Sequence, residues 1–460
     1  MSIPVSVVIL AAGEGTRMRS RRPKVLHEVA GDSLIGHVGR TAATLDPQRV
    51  VVVVGHAADA VRDIFTPRWA ALAPQIPLTM VVQAERRGTA HALRMAAPSL
   101  ESASGTLVVL SGDVPLLQAE TLRALLATHL EAGAAATVLS TITAAPTGYG
   151  RILRRPDGAF DRIVEERDAT PAEKAVTEIN AGVYAFQLDG LFEVLARISN
   201  DNAQGEYYLP DALALLRADG RSVCVARHAD AEEVRGVNTR AELAAVAAAF
   251  RRRTVAVLMA EGVTFLDPST AYVDVDVEIG MDTVVYPNVH IEGRTRIGEN
   301  CRIHTGARLV NAQVGDEVTI RDYSLVFDSR LDARATVGPF AHLRMNAHLH
   351  EGAVVGNFVE VKQSSLGTGT KAMHLSYLGD ATLGARVNVG AGTITCNYDG
   401  KQKHQTIIED GVKIGSDTML VAPVRIGEQA MTGAGAVVTE DVPPSTLVVG
   451  VPAKVKKVLS

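Results

Sequence analysis

The chain has 460 residues, too many for one ordinary core, so two or three domains are expected. Hydrophobic residues make up 47% and charged residues 21%, a foldable composition, but aromatics are only 4%. The net charge of −5, without a basic block or a basic amphipathic stretch, argues against nucleic-acid and membrane-surface partners.

The first element is "IPVSVVILAA". With no preceding Lys or Arg, and running straight into a glycine loop, it reads as a buried strand, not a signal-peptide core. The loop "LAAGEGTRM", Leu10 to Met18, fits neither common phosphate motif. A dinucleotide fingerprint needs a third glycine where Met18 stands, and a P-loop needs a closing Gly-Lys-Ser/Thr. Strand, glycine turn and basic residue together still point to phosphate chemistry. Gly13 and Gly15 would let backbone N–H groups approach phosphate oxygens. Arg17 and Lys24 would supply positive charge for a transferring group. "RVVVVVG" and "TLVVLSGD" are further buried-strand runs, with helical stretches "TAHALRMAA" and "AETLRALLATHLEAG" beside them. Residues 1–240 therefore read as an α/β domain, Rossmann-like, with an open and mostly parallel sheet. "LSGDVPL" puts Asp113 at the C-terminal end of a strand, where such sheets carry their sites.

"TRAELAAVAAAFRRRTVAVLMAEG" starts at a Thr cap and ends at Gly, which predicts one long linker helix over 241–261. From 262 to 460 the pattern changes, because aliphatic residues recur every six positions. The series runs Ile279, Val285, Ile291, Ile297, Ile303 and Leu309, then Val314, Ile320 and Val326. It resumes at Leu331, Val337, Leu343, Leu349, Val355 and Val361, and later at Ile408, Ile414, Leu420 and Ile426. A period of six fits a parallel β-helix of triangular coils, three hexads each, with one aliphatic side chain per hexad pointing inward. Such hexapeptide coils wind left-handed, and small core side chains fill them, which accounts for the scarce aromatics. Arg344 and Lys362 are separated by three hexads, one full coil, and each follows an inward aliphatic residue. They are expected to stack about 5 Å apart. Two stacked cations call for an anion between them, such as a sugar phosphate. His374 falls about one coil further on. Between Ile394 and Ile408 the spacing exceeds two hexads, so the surplus is expected to loop out around "NYDGK".

"LAAGEGTRM" followed by "RPKVL" resembles the signature of sugar-nucleotide pyrophosphorylases. That pair joined to a hexapeptide β-helix resembles the family of bifunctional N-acetylglucosamine-1-phosphate uridyltransferase/glucosamine-1-phosphate acetyltransferases, over essentially the whole chain. The resemblance implies Mg²⁺ as cofactor and UTP and acetyl-CoA as co-substrates. It implies nucleotide and sugar contacts at Leu10, Ala11, Ala12, Gly13 and Lys24, and at Gln83, Gly88 and Thr89 for the uracil edge. Ser111 (commonly Tyr in the family), Gly112 and Asp113 follow, then Gly150, Glu165 and Asn180 for the sugar. Asp113 and Asn238 would be the Mg²⁺ ligands, a number of protein groups that suits this ion.

In the β-helix the resemblance makes His374 the general base that takes a proton from the attacking amine. Glu360 is the candidate to orient its imidazole. Arg344, Lys362, Tyr377 and Asn388 would hold glucosamine 1-phosphate. Ala391, Asn397, Tyr398, Ser416 and Ala434 would meet acetyl-CoA. Where the family can carry an Arg before its last Val-Pro, this chain has Gly450; Lys454, Lys456 or Lys457 could substitute. The extruded loop is expected to complete a neighbour's site, hence a homotrimer. Cys224, Cys301 and Cys396 show no zinc or disulfide spacing, which suits a reducing cytoplasm, and Cys396 reads as structural. The reading set against this one keeps only the nucleotidyltransferase, with the prism as an oligomerising scaffold. A sugar-nucleotide sensor is the non-enzymatic option.

Overall fold

The computed structural model describes residues 3–55 and 57–458. By contact, the chain divides into Met1–Ala249 and Phe250–Ser460. The division falls inside one helix, Arg240–Ala260. No helix among the described residues is long and apolar enough to cross a membrane.

In the first unit the apolar runs become the central strands of one sheet. Read across it, the order is Val223–His228, Ala136–Ile142, Glu178–Gln187, Thr106–Ser111, Val5–Ala11, Val50–Val54 and Leu78–Val82. Val5–Ala11 lies between Val50–Val54 and Thr106–Ser111, parallel to both. Glu178–Gln187 is antiparallel to both of its neighbours in this order and to the short strand Arg151–Arg154, which makes the sheet mixed. Val50 to Val54 are all fully buried, as expected of a strand covered on both faces. The helices Thr89–Met95 and Ala119–Glu131 form where "TAHALRMAA" and "AETLRALLATHLEAG" lie. The parallel strands Val5–Ala11 and Thr106–Ser111 end at the same edge. This brings the glycine loop and Asp113 to one place.

The second unit is a left-handed parallel β-helix of three stacked faces. The short strands pair in parallel with strands one coil later, up to the antiparallel closing strand Ala453–Val458. Val285 meets Ile303, Ile291 meets Leu309, and Ile297 meets Val314. Every aliphatic residue of the hexad series is no more than 6% exposed. Where the series slips, the coil is shortened by a single residue, and the core remains continuous. One inward position differs from the sequence reading. Thr395, not Ile394, turns into the core beneath Leu420.

The corners need left-handed backbone, and Asn and Asp supply much of it, as at Asn288, Asn300, Asn311 and Asp328. One corner column is built differently. Tyr323, Phe340, Phe358 and Leu375 all have positive φ and stand outward. Their three rings stack in series at 5.4 and 5.5 Å.

Candidate active sites

In the α/β unit the glycine loop does not open a helix. Thr16–Met18 makes a single 3₁₀ turn capped by Gly15, and Met18 is buried, so the missing third glycine is a packing position. Gly13 borders open space, as a phosphate cradle requires. Gly15 serves another purpose than the one expected for it. Its φ is 65°, and a Cβ there would run into the Lys24 side chain. The glycine is needed because Lys24 passes beneath it.

Lys24 Nζ donates to Asn238 Oδ1 at 3.0 Å and also binds Asp113 Oδ2. Two residues from distant parts of the chain thus aim oxygens at one cation. The Val237 N–H donates to the Asp113 carbonyl (2.9 Å), which pins the two segments together. Ala11, Ala12 and Gly13 line an adjoining cavity of about 330 Å³, with Arg21, Arg22 and Arg86 on its rim. Arg17 is not among its lining residues; it stands exposed on the 3₁₀ turn. Sequence reasoning missed Arg86, which an ion pair with Glu14 ties to the glycine loop.

Gln83 is buried, and its Nε2 donates to the Gly88 carbonyl and meets His91 Nδ1 at 2.9 Å. Gly88 has φ 101°, and a Cβ there would strike the Tyr207 backbone. Thr89 Oγ1 accepts from the Leu209 N–H, so its hydroxyl ties two segments together. The Gly112 N–H donates to the Leu10 carbonyl. Ser111 Oγ donates to the Gly182 carbonyl (3.2 Å), beside Asn180, whose Oδ1 accepts from Gly182 N–H and whose amide donates to Tyr184. The Asn180 N–H donates to the Gly150 carbonyl, and Gly150 leaves room for Glu165. Burial, reinforced by Asp211 and Asp168, pushes the Glu165 carboxyl up to about 7.

In the β-helix, Arg344 and Lys362 are register partners on the same face, as the one-coil spacing predicted. The inference that only a bound anion could hold them together needs correction. Each already has a carboxylate. Arg344 Nε donates to Glu360 Oε1 at 2.7 Å, and Lys362 Nζ donates to Asp380 at 2.9 Å. Lys362 is only 3% exposed. Glu360 is therefore engaged by Arg344, and the partner of His374 is Asn357, whose Oδ1 lies 2.8 Å from Nδ1. His374 ends the strand Lys371–His374 on the neighbouring face, shortly before Tyr377 and just ahead of the corner.

Tyr377 Oη and Asp380 both meet the Asn397 amide, which brings the extruded segment onto the Lys362 pair. The surplus lies where it was expected. Leu366 pairs with Leu383 across an ordinary coil, whereas Leu383 pairs with Ile408 only after the chain has passed out through "NYDGK" and back. Tyr398 bridges to Lys403 at the base of this loop and is 60% exposed. Lys403 is a second residue that sequence reasoning missed. Its ammonium comes against that of Lys362, which holds it below the ordinary lysine range. A basic residue shortly after Tyr398, returning across a turn, was the available signal.

Asn388 pairs with Lys413, and Lys413 with Met431. Ala391, Ser416 and Ala434, each the same short step further along, therefore occupy equivalent places in three successive coils. Gly450 has φ 98° and pairs with Ala453 in a closing antiparallel strand that exposes Lys454, Lys456 and Lys457. Burial raises the Cys396 thiol, which disfavours the thiolate a nucleophile needs.

A nucleotide-type α/β cleft followed by a left-handed β-helix with a cationic corner defines a two-site transferase. The MobA-like NTP transferase domain matches residues 7–172, and the bacterial transferase hexapeptide repeat matches 276–311 and 405–440. The bifunctional protein GlmU of Syntrophomonas wolfei is 48% identical over 445 residues, 97% of each chain. Those of Exiguobacterium sibiricum and Brevibacillus brevis are 46% and 45% identical, covering 96% and 99% of this chain and 96% of each relative. The chain belongs to the bifunctional GlmU family. It acetylates glucosamine 1-phosphate with acetyl-CoA and then transfers UMP from UTP to N-acetylglucosamine 1-phosphate, releasing pyrophosphate. The product, UDP-N-acetylglucosamine, feeds cell-wall synthesis.

Proposed function

We propose that uridylyl transfer uses the cleft of residues 1–240 and acetyl transfer the prism of residues 262–460, joined by the linker 241–261. In the cleft, the phosphate oxygen of N-acetylglucosamine 1-phosphate attacks the α-phosphorus of UTP and pyrophosphate leaves. Lys24 offsets the developing charge, with Arg17 reaching in from its exposed turn, and Gly13 offers its backbone N–H. Gln83, Gly88 and Thr89 frame the base, while Gly150, Glu165 and Asn180 meet the sugar. Asp113 and Asn238 fit Mg²⁺, because two hard oxygens already converge on one cation there. Mg²⁺, when bound, supplies charge neutralisation on the phosphates.

In the prism, Arg344, Lys362 and Lys403 hold the phosphate of glucosamine 1-phosphate, and Tyr377 and Asn388 hold its sugar. His374 Nε2 accepts the proton of the amine as it attacks the thioester carbonyl; the C–S bond breaks and the CoA thiolate leaves, with no acyl-enzyme formed. The column Ala391, Ser416 and Ala434 lies along acetyl-CoA, with Asn397 and Tyr398 from the loop. The protein acts as a homotrimer. The outward apolar column of Tyr323, Phe340, Phe358 and Leu375, 49–60% exposed, supports a neighbour there. UTP and acetyl-CoA as substrates, with free cysteines, support a cytoplasmic setting.

The observation that carries this reading is the Arg344–Lys362 pair in adjacent coils of the face next to His374. The test is release of the CoA thiol with glucosamine 1-phosphate as acceptor. Turnover that Lys362→Ala weakens through KM supports the assignment; turnover untouched by both Lys362→Ala and Arg344→Ala overturns it.

A further inference from the structure

Asp332, His348 and His350 lie on the face of the prism that carries neither His374 nor the Arg344–Lys362 pair. His348 and His350 flank the inward Leu349, so both side chains point outward. Arg330 pairs with His348 and Leu331 with Leu349, which sets Asp332 directly below His350, one coil down.

Three ligand atoms meet there. His348 Nε2 is 2.9 Å and His350 Nδ1 is 3.5 Å from Asp332 Oδ2. All three groups offer atoms within 4.8 Å of one another. Tetrahedral zinc with bonds of about 2.1 Å separates its ligand atoms by about 3.4 Å, which the two observed distances bracket. Two of the three ligands are also oriented from behind. His350 Nε2 bonds Ser365 Oγ at 3.0 Å, which directs Nδ1 toward the carboxylate. Asp332 Oδ1 accepts from Arg330 Nε at 2.8 Å, which leaves Oδ2 for the imidazoles. Such outer partners are what fix ring and carboxylate in metal centres.

We propose that Asp332, His348 and His350 form a divalent-metal site of the Zn²⁺ class on the β-helix, with water completing the coordination. Two imidazoles and one carboxylate select a borderline first-row ion over Mg²⁺, which takes oxygen ligands. The site is therefore chemically separate from Asp113 and Asn238. The Arg330 guanidinium opposes the ion's charge, but from the far oxygen of the carboxylate.

The test is calorimetric titration of the full chain with Zn²⁺ in excess Mg²⁺. The expected result is one Zn²⁺ equivalent per chain that Asp113→Ala retains and that His348→Gln/His350→Gln loses. Ser365→Ala should keep the equivalent with affinity reduced about tenfold, as for an outer partner. Co²⁺ in place of Zn²⁺ should give visible absorption in wild type and not in the double variant. Without Zn²⁺, uridylyl- and acetyl-transfer rates and the thermal midpoint of the double variant should equal those of wild type, which separates ligand loss from misfolding; added Zn²⁺ should raise the midpoint of wild type alone. Equal Zn²⁺ stoichiometry and affinity in wild type and double variant, or no Zn²⁺ bound by wild type, would overturn the proposal.

Discussion

His374 and Asn357 are register partners in adjacent coils, with Nδ1 of the imidazole 2.8 Å from the amide oxygen. An oxygen acceptor there holds the proton on Nδ1 and leaves Nε2 with its lone pair. His374→Ala should lower acetyl transfer by about 10²–10⁴-fold, the usual contribution of a general base. Asn357→Ala should cost less, roughly tenfold, by freeing the tautomer. Pyrophosphate release from UTP should be unchanged in both. An Asn357→Ala enzyme with a wild-type acetyl-transfer pH profile would refute the orienting role.

Asp380 neutralises a lysine that is 3% exposed. Asp380→Ala leaves that charge buried without a carboxylate, a loss expected to cost about 3 kcal/mol. Chemical denaturation should show the loss in the unfolding of the β-helix. Replacing both residues, Lys362→Met with Asp380→Leu, should recover much of the stability without recovering activity.

Asp113→Ala removes one of the two oxygens converging on Lys24. Uridylyl transfer should fall below about 1% of wild type, since charge stabilisation is the largest single contribution to such transfers. Chelation of divalent ions should have the same effect on wild type. Acetyl transfer should persist in both cases, measured in the same samples by thiol release.

Glu165 titrates in the wrong place for an ordinary carboxyl. Burial, with Asp211 and Asp168, raises it to about 7. The folded state therefore holds the proton more tightly than the unfolded chain, where Glu titrates near about 4.3. As pH rises from about 4.3 to about 7, the unfolded state ionises first and folding stability falls. Glu165→Gln should remove part of that fall, gaining on the order of 1 kcal/mol at pH 8 and little at pH 5. Asp211, raised to about 6, keeps a residual slope of the same sign. Thermal unfolding at the two pH values decides it; a Gln variant with the wild-type pH dependence would exclude Glu165 as the source.

Phe358 is 57% exposed with φ 57°, a backbone that Asp adopts more readily than Phe. Phe358→Asp should therefore leave the coil intact while putting a charge into the proposed subunit contact. Sedimentation should show trimers for wild type and monomers for the variant. Acetyl transfer should fall in the variant, and uridylyl transfer should remain.

The prism was legible because its rule is local. Each inward residue obeys a fixed hexad spacing, and Ile279 through Val361 and Ile408 through Ile426 all turned inward as read. The Arg344–Lys362 stack followed from counting one coil. The countercharges did not follow. Glu360 was assigned to His374 because sequence proximity cannot say which of two nearby cations or rings a carboxylate prefers. Asp380 and Lys403 arrive one coil later and from a loop, so only the fold brings them to Lys362. In the α/β unit, the convergence of Lys24, Asp113 and Asn238 depends on three segments meeting at a sheet edge. The family resemblance supplied the two oxygens. The path of Lys24 under Gly15 is steric and leaves no trace in the sequence.

The last strand, Ala453–Val458, turns back antiparallel against Thr446–Gly450. Every other pairing in that face runs parallel, and a parallel spiral presents the same template to the next coil indefinitely. Reversing direction and placing Lys454, Lys456 and Lys457 on the rim spoils that template on this face. Head-to-tail growth into fibres is thereby discouraged by the strand direction itself.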